Sequence, residues 1–236
     1  MGLSAFARGI AAAFAIFAIL EACSGAFGER VREEVHQTVS AGSAPAVVIE
    51  NVAGAVRVEA WAKPIVDVEA TKYGYNAEEL HRVAIAVARE PGGVSIATHY
   101  GRGVHGGGVR YRIFVPHDAS LQISNDAGAV DIAGVRGDVQ IQTEAGEITA
   151  DVGLVERNRS IDLRATTGAL TLIVAPGSSA TVQAASTVGD FTSNIPGVTQ
   201  TRENLVGARG GGTIGTGSGR IKLATTTGAI ALRQHP

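Results

Sequence analysis

The sequence contains very little that could cross-link the chain or build a bulky aromatic core. Its 236 residues include one cysteine, one tryptophan and one methionine, and aromatic residues make up only 5%. A single cysteine excludes a disulfide bond within the chain, whatever the compartment. The apolar content is mainly valine, isoleucine, leucine and alanine, which suits thin and closely stacked β-sheets.

Concentrated charge of one sign is also absent. The formal net charge is −2, and the 20 lysines and arginines are scattered along the chain. Nucleic-acid binding depends on a concentrated basic patch, so this charge pattern argues against a nucleic-acid partner. Proline is ordinary at 7 residues, whereas glycine reaches 31 and apolar residues 45%. These values exclude a collagen or a disordered linker and predict a sizeable core.

Residues 1–22 have the pattern of a signal peptide. Arg8 supplies a short positive region, and an apolar run follows from Ile10 to Leu20. A membrane-spanning helix needs about 20 apolar residues. The shorter run therefore predicts the core of a signal peptide that is removed on export, rather than a membrane anchor.

The segment that follows resembles a bacterial lipoprotein box. Leu20, Ala22 and Cys23 occupy the positions that such a box requires, although Glu21 departs from its usual small or apolar residue. We therefore predict lipidation of Cys23, attachment to a membrane through the lipid, and a place in the cell envelope. Ser24 favours sorting to the outer membrane, with a periplasmic location as the other possibility. An ordinary secretory signal with an incidental Cys23 remains the alternative.

The rest of the chain divides into three parts by its strand patterns. Residues 23–44 form a polar tether and a first strand, and residues 45–118 form an N-terminal β region. Residues 119–234 carry glycine-punctuated repeats. Within the β region, Asn76 and Glu79 have the spacing of a capping box, which predicts a short helical turn. A strand over "VAIAV" then pairs as a hairpin with the strand that begins at Val94.

Glycines recur at a regular spacing in the second half of the chain. The intervals of 9 and about 20 residues fit half-turns and full turns of a solenoid whose coils are roughly 18 to 22 residues long. The sequence thus predicts an all-β solenoid or β-roll of short stacked strands, preceded by an N-terminal strand region with a hairpin. The predicted corner glycines are Gly54, Gly128, Gly137, Gly146, Gly168, Gly189, Gly219 and Gly228.

A corner between two short strands has two requirements that favour glycine. The backbone there needs positive φ or a close approach to a neighbouring backbone, and glycine accepts both at little cost. An apolar residue follows two positions after each glycine of the repeats and is expected to enter the core. The Thr, Asp and Glu residues just before the glycine are expected to satisfy the corner amides.

Four segments carry a resemblance to a known family. They are "VVIENVAGAVRVEAW", "VPHDASLQISNDAGAVDIAGVRGDVQIQTEAGEITADVG", "LRATTGALTL" and "IKLATTTGAIAL". Over residues 45–234 the chain resembles the bacterial β-strand-repeat family of adhesin-like domains of unknown function. The resemblance implies an exported or envelope-associated solenoid with no established enzymatic activity. The chain departs from the family in Ala127, Ala145 and Thr167, which replace an asparagine common before the corner glycine.

Motifs that could bind a cofactor or a metal do not have the required context. Glycines 101, 103 and 106 and glycines 210, 212 and 215 match G-x-G-x-x-G, but both matches lead into strands, so we interpret them as flexible loops. The histidines lack metal-site spacing and are interpreted as surface loop residues: His36, His81, His99, His105 and His117. The acidic residues lack the calcium nonapeptide and are interpreted as a solvated coil face: Asp126, Asp131, Asp138, Glu144, Glu147 and Asp151.

The sequence therefore predicts a non-enzymatic envelope protein without catalytic residues, cofactor or metal. Its solenoid would offer a surface for spacing or for binding a protein or glycan. Two alternatives remain open. One is a carbohydrate-active enzyme on the same scaffold, for which Arg136, Asp138 and Glu147 could converge. The other is a sensory or regulatory module of the envelope.

Overall fold

The computed structural model describes residues 31–104, 106–203 and 206–235. In these ranges the chain forms 19 strands in two sheets and one short helix. The predicted all-β solenoid is confirmed. The predicted signal peptide, Cys23 and the tether up to residue 30 lie outside the described residues.

The N-terminal part contains seven strands and the helix. Its elements are β1 (Val31–Ser40), β2 (Ala46–Ala53), β3 (Val56–Trp61), β4 (Ile65–Gly74), α1 (Ala77–His81), β5 (Val83–Glu90), β6 (Gly93–Tyr100) and β7 (Gly108–Pro116). The predicted capping residue is confirmed, since the Asn76 side chain accepts the Glu79 amide at 2.8 Å and begins α1. The predicted hairpin is also confirmed, because β5 and β6 pair antiparallel.

The repeats contribute twelve further strands. They are β8 (Ser120–Ala127), β9 (Val130–Ala133), β10 (Val139–Ala145), β11 (Ile148–Gly153), β12 (Ser160–Thr167), β13 (Leu170–Val174), β14 (Ala180–Val188), β15 (Phe191–Ser193), β16 (Val198–Glu203), β17 (Gly207–Ile214), β18 (Gly219–Thr227) and β19 (Ile230–Gln234).

Each coil places one strand in each of two facing sheets. Sheet A has the order β1-β4-β7-β3-β9-β11-β13-β19-β15, and sheet B has the order β16-β17-β14-β18-β12-β10-β8-β2-β6-β5. Strands of successive coils pair in parallel and in register; Ile141 of β10, for example, lies between Ile123 and Leu163. This register puts like side chains in ladders across the sheets.

The spatial order of the coils differs from their order in the chain. The last coil, β18 with β19, lies between the β12–β13 coil and the β14–β15 coil. At the other end, the β6–β7 coil lies outside the β2–β3 coil. Antiparallel strands then cover both ends of the stack, β1, β4 and β5 at one and the β16–β17 hairpin at the other. These caps protect coil surfaces that would otherwise offer open edges for aggregation.

The core lies between the two sheets and consists of alternate residues of each strand. The apolar residue two positions after each repeat glycine is buried, as predicted: Val130, Val139, Ile148, Leu170, Phe191, Ile221 and Ile230. Each fully buried side chain of this kind contributes about 1.5–3 kcal/mol to folding. Because a coil holds few of them, neighbouring coils stabilise one another.

Six of the predicted corner glycines form a single column along one edge of the stack, which we call the glycine edge. The column contains, in spatial order, Gly54, Gly128, Gly146, Gly168, Gly228 and Gly189. A Cβ on Gly128 would overlap the carbonyl oxygen of Gly54, and a Cβ on Gly146 would overlap that of Gly128. Gly128 also has a φ of 131°, which side chains rarely adopt.

Backbone and side-chain hydrogen bonds join the coils at this edge. The Gly128 amide donates to the carbonyl of Ala145 in the next coil, at 2.9 Å. Four of the corner carbonyls, those of Gly54, Gly128, Gly168 and Gly228, accept from buried polar residues that lie three positions before a glycine of the column. Asn125 donates to Gly128 O at 2.9 Å, and Asn51 donates to the Asn125 side-chain oxygen at 2.9 Å. In other coils Ser186 donates to Gly228 O at 2.8 Å and Thr225 to Gly168 O at 3.1 Å.

The expectation that residues just before the glycines satisfy the corner amides is therefore wrong. Residues such as Thr167 and Thr227 are exposed, since they lie out of phase with the inward-facing positions. Their carbonyls, and not their side chains, accept the corner amides, as in Gly146 N to Thr167 O at 2.9 Å.

Gly137 and Gly219 lie at the opposite edge, which we call the loop edge. Gly137 precedes β10, where a Cβ would overlap the carbonyl of Ala119. Gly219 begins β18, and its amide donates to Ser179 O at 2.8 Å. The nine-residue interval from Gly128 to Gly137 thus crosses from one edge of the coil to the other.

Replacing Gly146 by alanine tests the close approach at the glycine edge. We expect Gly146→Ala to lower the free energy of unfolding by at least about 2 kcal/mol, because the new methyl group overlaps the Gly128 backbone of the preceding coil. Gly211→Ala is the matched control, since a Cβ there would have only an ordinary contact, 3.7 Å from Val182 O. Urea unfolding of the two variants is the measurement, and equal losses would contradict the packing of the column.

Candidate functional site

A cleft lies at the loop edge, where three stacked connections meet. They join β7 to β8, β9 to β10 and β11 to β12, and they border an open volume of about 1000 Å³. This volume is at the upper end of the range for small-molecule sites. Seven of the fourteen lining residues have ionisable side chains: His117, Asp118, Arg136, Asp138, Glu156, Arg157 and Arg159.

Arg159 forms the floor of the cleft and binds the connections together. Its side chain is only 7% exposed. The guanidinium donates to the carbonyls of Gly137 and Val135 at 2.9 and 2.7 Å, and to those of Val152 and Leu154 at 2.7 and 2.8 Å. Four backbone acceptors from two connections therefore depend on one side chain. The planar fork of arginine is the geometry that reaches them together.

The charge of Arg159 is stabilised by these dipoles rather than by a direct ion pair. Burial lowers the pKa of Arg159 to about 10, and the nearby Asp138 carboxylate opposes that shift. The guanidinium therefore keeps its positive charge near neutral pH. Asp138 itself is held in place because it accepts the Ser160 amide at 2.8 Å.

The rim of the cleft has an uncommon backbone conformation at two consecutive residues. Arg157 has a φ of 52° and Asn158 a φ of 65°, both in the left-handed region. Their amides donate to Ser218, Arg157 N to its hydroxyl at 3.3 Å and Asn158 N to its carbonyl at 2.9 Å. Such conformations persist where the surroundings fix them, and they cluster at ligand-binding sites.

The structure brings together two of the three residues considered for carbohydrate chemistry. Arg136 and Asp138 both line the cleft. Glu147 does not, because it follows Gly146 at the glycine edge, and the seven residues of β10 separate the two edges by about 23 Å. The three residues considered for the enzyme alternative therefore do not converge.

The other sequence candidates occupy separate places in the fold. Among the described histidines, His36 lies on β1, where it contacts Asp67 at 2.6 Å, and His99 lies on β6, so the interpretation as loop residues is wrong for both. His81 belongs to α1, His117 lines the cleft, and His105 is outside the described residues. Within the described ranges, no group of three or more His, Cys, Asp or Glu side chains could hold a metal ion.

The loop interpretation holds for the first of the two glycine motifs and is wrong for the second. The first lies in the β6–β7 connection, and no helix follows it. In the second, Gly210 and Gly212 lie inside β17 and not in a loop. A Cβ on Gly210 would overlap the Phe191 ring, so the glycine lets the hairpin pack closely over that side chain. A dinucleotide site requires a helix after the turn, and neither motif provides one.

The role of Arg159 was missed, although the sequence contains a signal for it. Arg159 has the same strand parity as Ile161 and Leu163, which are buried. Because successive side chains of a strand point to opposite faces of the sheet, Arg159 points inward, at the end of the row that contains Ile161 and Leu163. Such an arginine must find hydrogen-bond acceptors, and only the neighbouring connections can supply them.

Comparison with known proteins supports the family resemblance. Residues 117–233 match the family described as Toastrack DUF4097. No curated protein sequence matches the chain. Within the described residues, no helix has the length and apolar character to cross a membrane.

Three solved structures are similar to this one. A "putative cell adhesion protein" from Clostridium sporogenes has a TM-score of 0.64 and 11% identity, over 86% of this chain and 100% of that chain. A "putative adhesin" from Bacteroides fragilis has a TM-score of 0.29 and 11% identity, over 86% and 97%. A "putative adhesin" from Parabacteroides merdae has a TM-score of 0.28 and 9% identity, over 86% and 96%. At 11% identity, the Clostridium sporogenes similarity is one of fold.

Replacing Arg159 tests its role in holding the cleft. We expect Arg159→Met to lower the free energy of unfolding by at least about 3 kcal/mol, because four backbone carbonyls lose the Arg159 donor and two of these hydrogen bonds are buried. Arg159→Lys should recover little of this loss, since one ammonium has three donors and no planar fork. Arg136→Met is the control, because Arg136 is exposed on the same cleft, and it should change stability by less than about 0.5 kcal/mol. Thermal and urea unfolding measure these effects, and an Arg159→Met protein of unchanged stability would contradict the assignment.

Proposed function

We propose that this chain is a non-enzymatic, lipid-anchored protein of the cell envelope that binds its ligand in the loop-edge cleft. The Toastrack family, which matches residues 117–233, has no known function, so the proposal depends on the cleft and on its position relative to the anchor. The description of the Clostridium sporogenes structure as a "putative cell adhesion protein" supports an exported protein.

The observation that carries the proposal is the position of the cleft opposite the point where the N-terminal segment joins the domain. β1 begins at Val31, which pairs with Gly74 at the glycine edge. Any segment before Val31 therefore joins at that edge, whereas the cleft opens at the loop edge. Strands of seven to ten residues separate the two edges by roughly 23–33 Å. An anchor at Cys23 would leave the cleft accessible on the far side.

The charged groups of the cleft support binding rather than catalysis. The Arg159 guanidinium donates to four carbonyls, and Asp138 accepts the Ser160 amide. Glu156 Oε1 lies 3.4 Å from Arg157 Nε. The contacts of Arg159 and Asp138 hold the connections in fixed positions, whereas the Glu156–Arg157 ion pair is exposed. A preorganised surface of this kind binds a ligand without a large ordering cost.

A carbohydrate-active enzyme is the second candidate, because Asp118, Asp138 and Glu156 line the same cleft. Glycoside hydrolases use a pair of carboxylates on either side of the scissile bond. The enzyme would release new reducing ends from a bound polysaccharide, whereas the binding protein would return it unchanged.

The anchor is tested by replacing Cys23 with serine in the full-length protein. Each methylene of an acyl chain contributes about 0.8 kcal/mol when buried in the bilayer, so several chains together give stable attachment. We expect Cys23→Ser to move the protein from the membrane fraction to the soluble fraction, or to leave an uncleaved precursor. Ser24→Ala is the control and should remain attached. Mass spectrometry of the native N-terminus checks the chemistry, and a mature chain that starts at Ser24 or later without acyl mass would contradict the anchor.

A further inference from the structure

We infer that the cleft and a groove beside it form one extended site for an uncharged, linear glycan. This inference rests on the proposed function as a binding protein and names the class of its ligand. The adjoining groove lies on the outer face of sheet B, has a volume of about 360 Å³, and crosses β2, β8, β10 and β12. It shares Ser120 and Asp138 with the cleft, so the two adjoin.

The groove runs along the stacking direction of the coils, and its polar residues repeat with the strands. Gln122, Gln140 and Asp162 occupy equivalent register positions on β8, β10 and β12. Neighbouring strands lie about 4.8 Å apart, which is close to the length of one sugar ring in a linear polysaccharide. A glycan along this direction would therefore meet one polar side chain for each sugar unit over β8, β10 and β12, and Val48 at the equivalent position of β2.

A second row lies two residues closer to the loop edge. Ser120, Asp138 and Ser160 directly precede the paired residues Leu121, Val139 and Ile161. All three line the groove, and Ser120 and Asp138 also line the cleft. The two rows are roughly 7 Å apart along the strands, so they can contact opposite sides of a chain of sugar rings.

The side chains of these rows have the chemistry that neighbouring sugar hydroxyls require. Carboxylates and carboxamides each present two polar atoms, and serine both donates and accepts. Two of the carboxylates are already fixed: Asp162 receives the Arg164 guanidinium at 2.9 and 2.6 Å, and Asp138 accepts the Ser160 amide. Their remaining lone pairs therefore point in set directions before the ligand arrives.

Other polymers fit the same surface less well. In the cleft the three carboxylates are balanced by Arg136, Arg157 and Arg159. In the groove, however, the charged lining residues are Asp138 and Asp162, so a polyanion would meet two carboxylates and no lining cation there. A peptide that adds a strand needs an open sheet edge, but β2, β8, β10 and β12 are each paired on both sides. An uncharged polymer recognised by its hydroxyl groups avoids both difficulties.

The inference is tested by calorimetric titration of the purified full-length protein, in detergent, with cello-oligosaccharides and chito-oligosaccharides of two to six units. Four strands span about 14 Å, so affinity should rise up to three or four sugar units and then level off. We expect Gln140→Ala to weaken binding about five- to tenfold, the equivalent of one lost hydrogen bond. Gln142→Ala is the matched control: it is the same residue type, exposed on the same face of β10 but outside the groove lining, and it should leave the affinity unchanged.

Three results would overturn the inference. They are no saturable binding of either series, affinity that does not depend on chain length, and equal losses for Gln140→Ala and Gln142→Ala. A parallel titration with oligogalacturonates, which carry carboxylates, distinguishes recognition of charge from recognition of hydroxyl groups. Binding of this acidic series alone would also overturn the inference. The Cys23→Ser fractionation tests the proposed envelope anchor independently, so failure of the glycan assignment is distinguishable from failure of the anchor.

Discussion

Adjacent coils of this solenoid approach so closely at one edge that only glycine fits between them. The carbonyl oxygen of each corner occupies the space that a Cβ on the next glycine would need, from Gly54 through Gly128 to Gly146 and beyond. This approach lets each corner amide donate to the neighbouring coil, and it sets the parallel register of both sheets. The loop edge has no such column through all the coils, so its connections can differ in length and charge, and the cleft forms there.

The similarity of the coils also explains why their spatial order can differ from their order in the chain. Because every coil presents a similar set of corner groups and ladders, one coil can dock on another that is distant in sequence. The β18–β19 coil pairs with β12 and β13 on one side and with β14 and β15 on the other. The antiparallel strands at both ends stop this repetition, since a solenoid without caps would offer its terminal coil to other chains.

Sequence reasoning reached the features that depend on local spacing. The corner glycines, the buried residue two positions later and the β5–β6 hairpin all follow from patterns within a few residues. The coil order could not be predicted, because "IDLRATTG" and "IKLATTTG" carry the same pattern and either could occupy a given place in the stack.

The site was partly within reach of the sequence. The nine-residue half-coil already places Glu147 at the edge opposite Arg136 and Asp138, so their separation follows from the spacing itself. The four carbonyl partners of Arg159 depend on how two connections fold over each other, which no local pattern specifies. The hairpin of β16 and β17 is similar, since Gly210 is required by contact with Phe191 and not by a turn.

If the close approach at the glycine edge holds the coils together, this edge must be part of the cooperative core. Native-state hydrogen exchange of the amides of Gly128, Gly146, Gly168 and Gly228 measures this property, because each of these amides donates to the neighbouring coil. The account predicts that they exchange only through global unfolding, with the same free energy as the amides of Ile141 and Leu163 in the central strands. Corner amides that exchange through local opening, far faster than those strand amides, would contradict it.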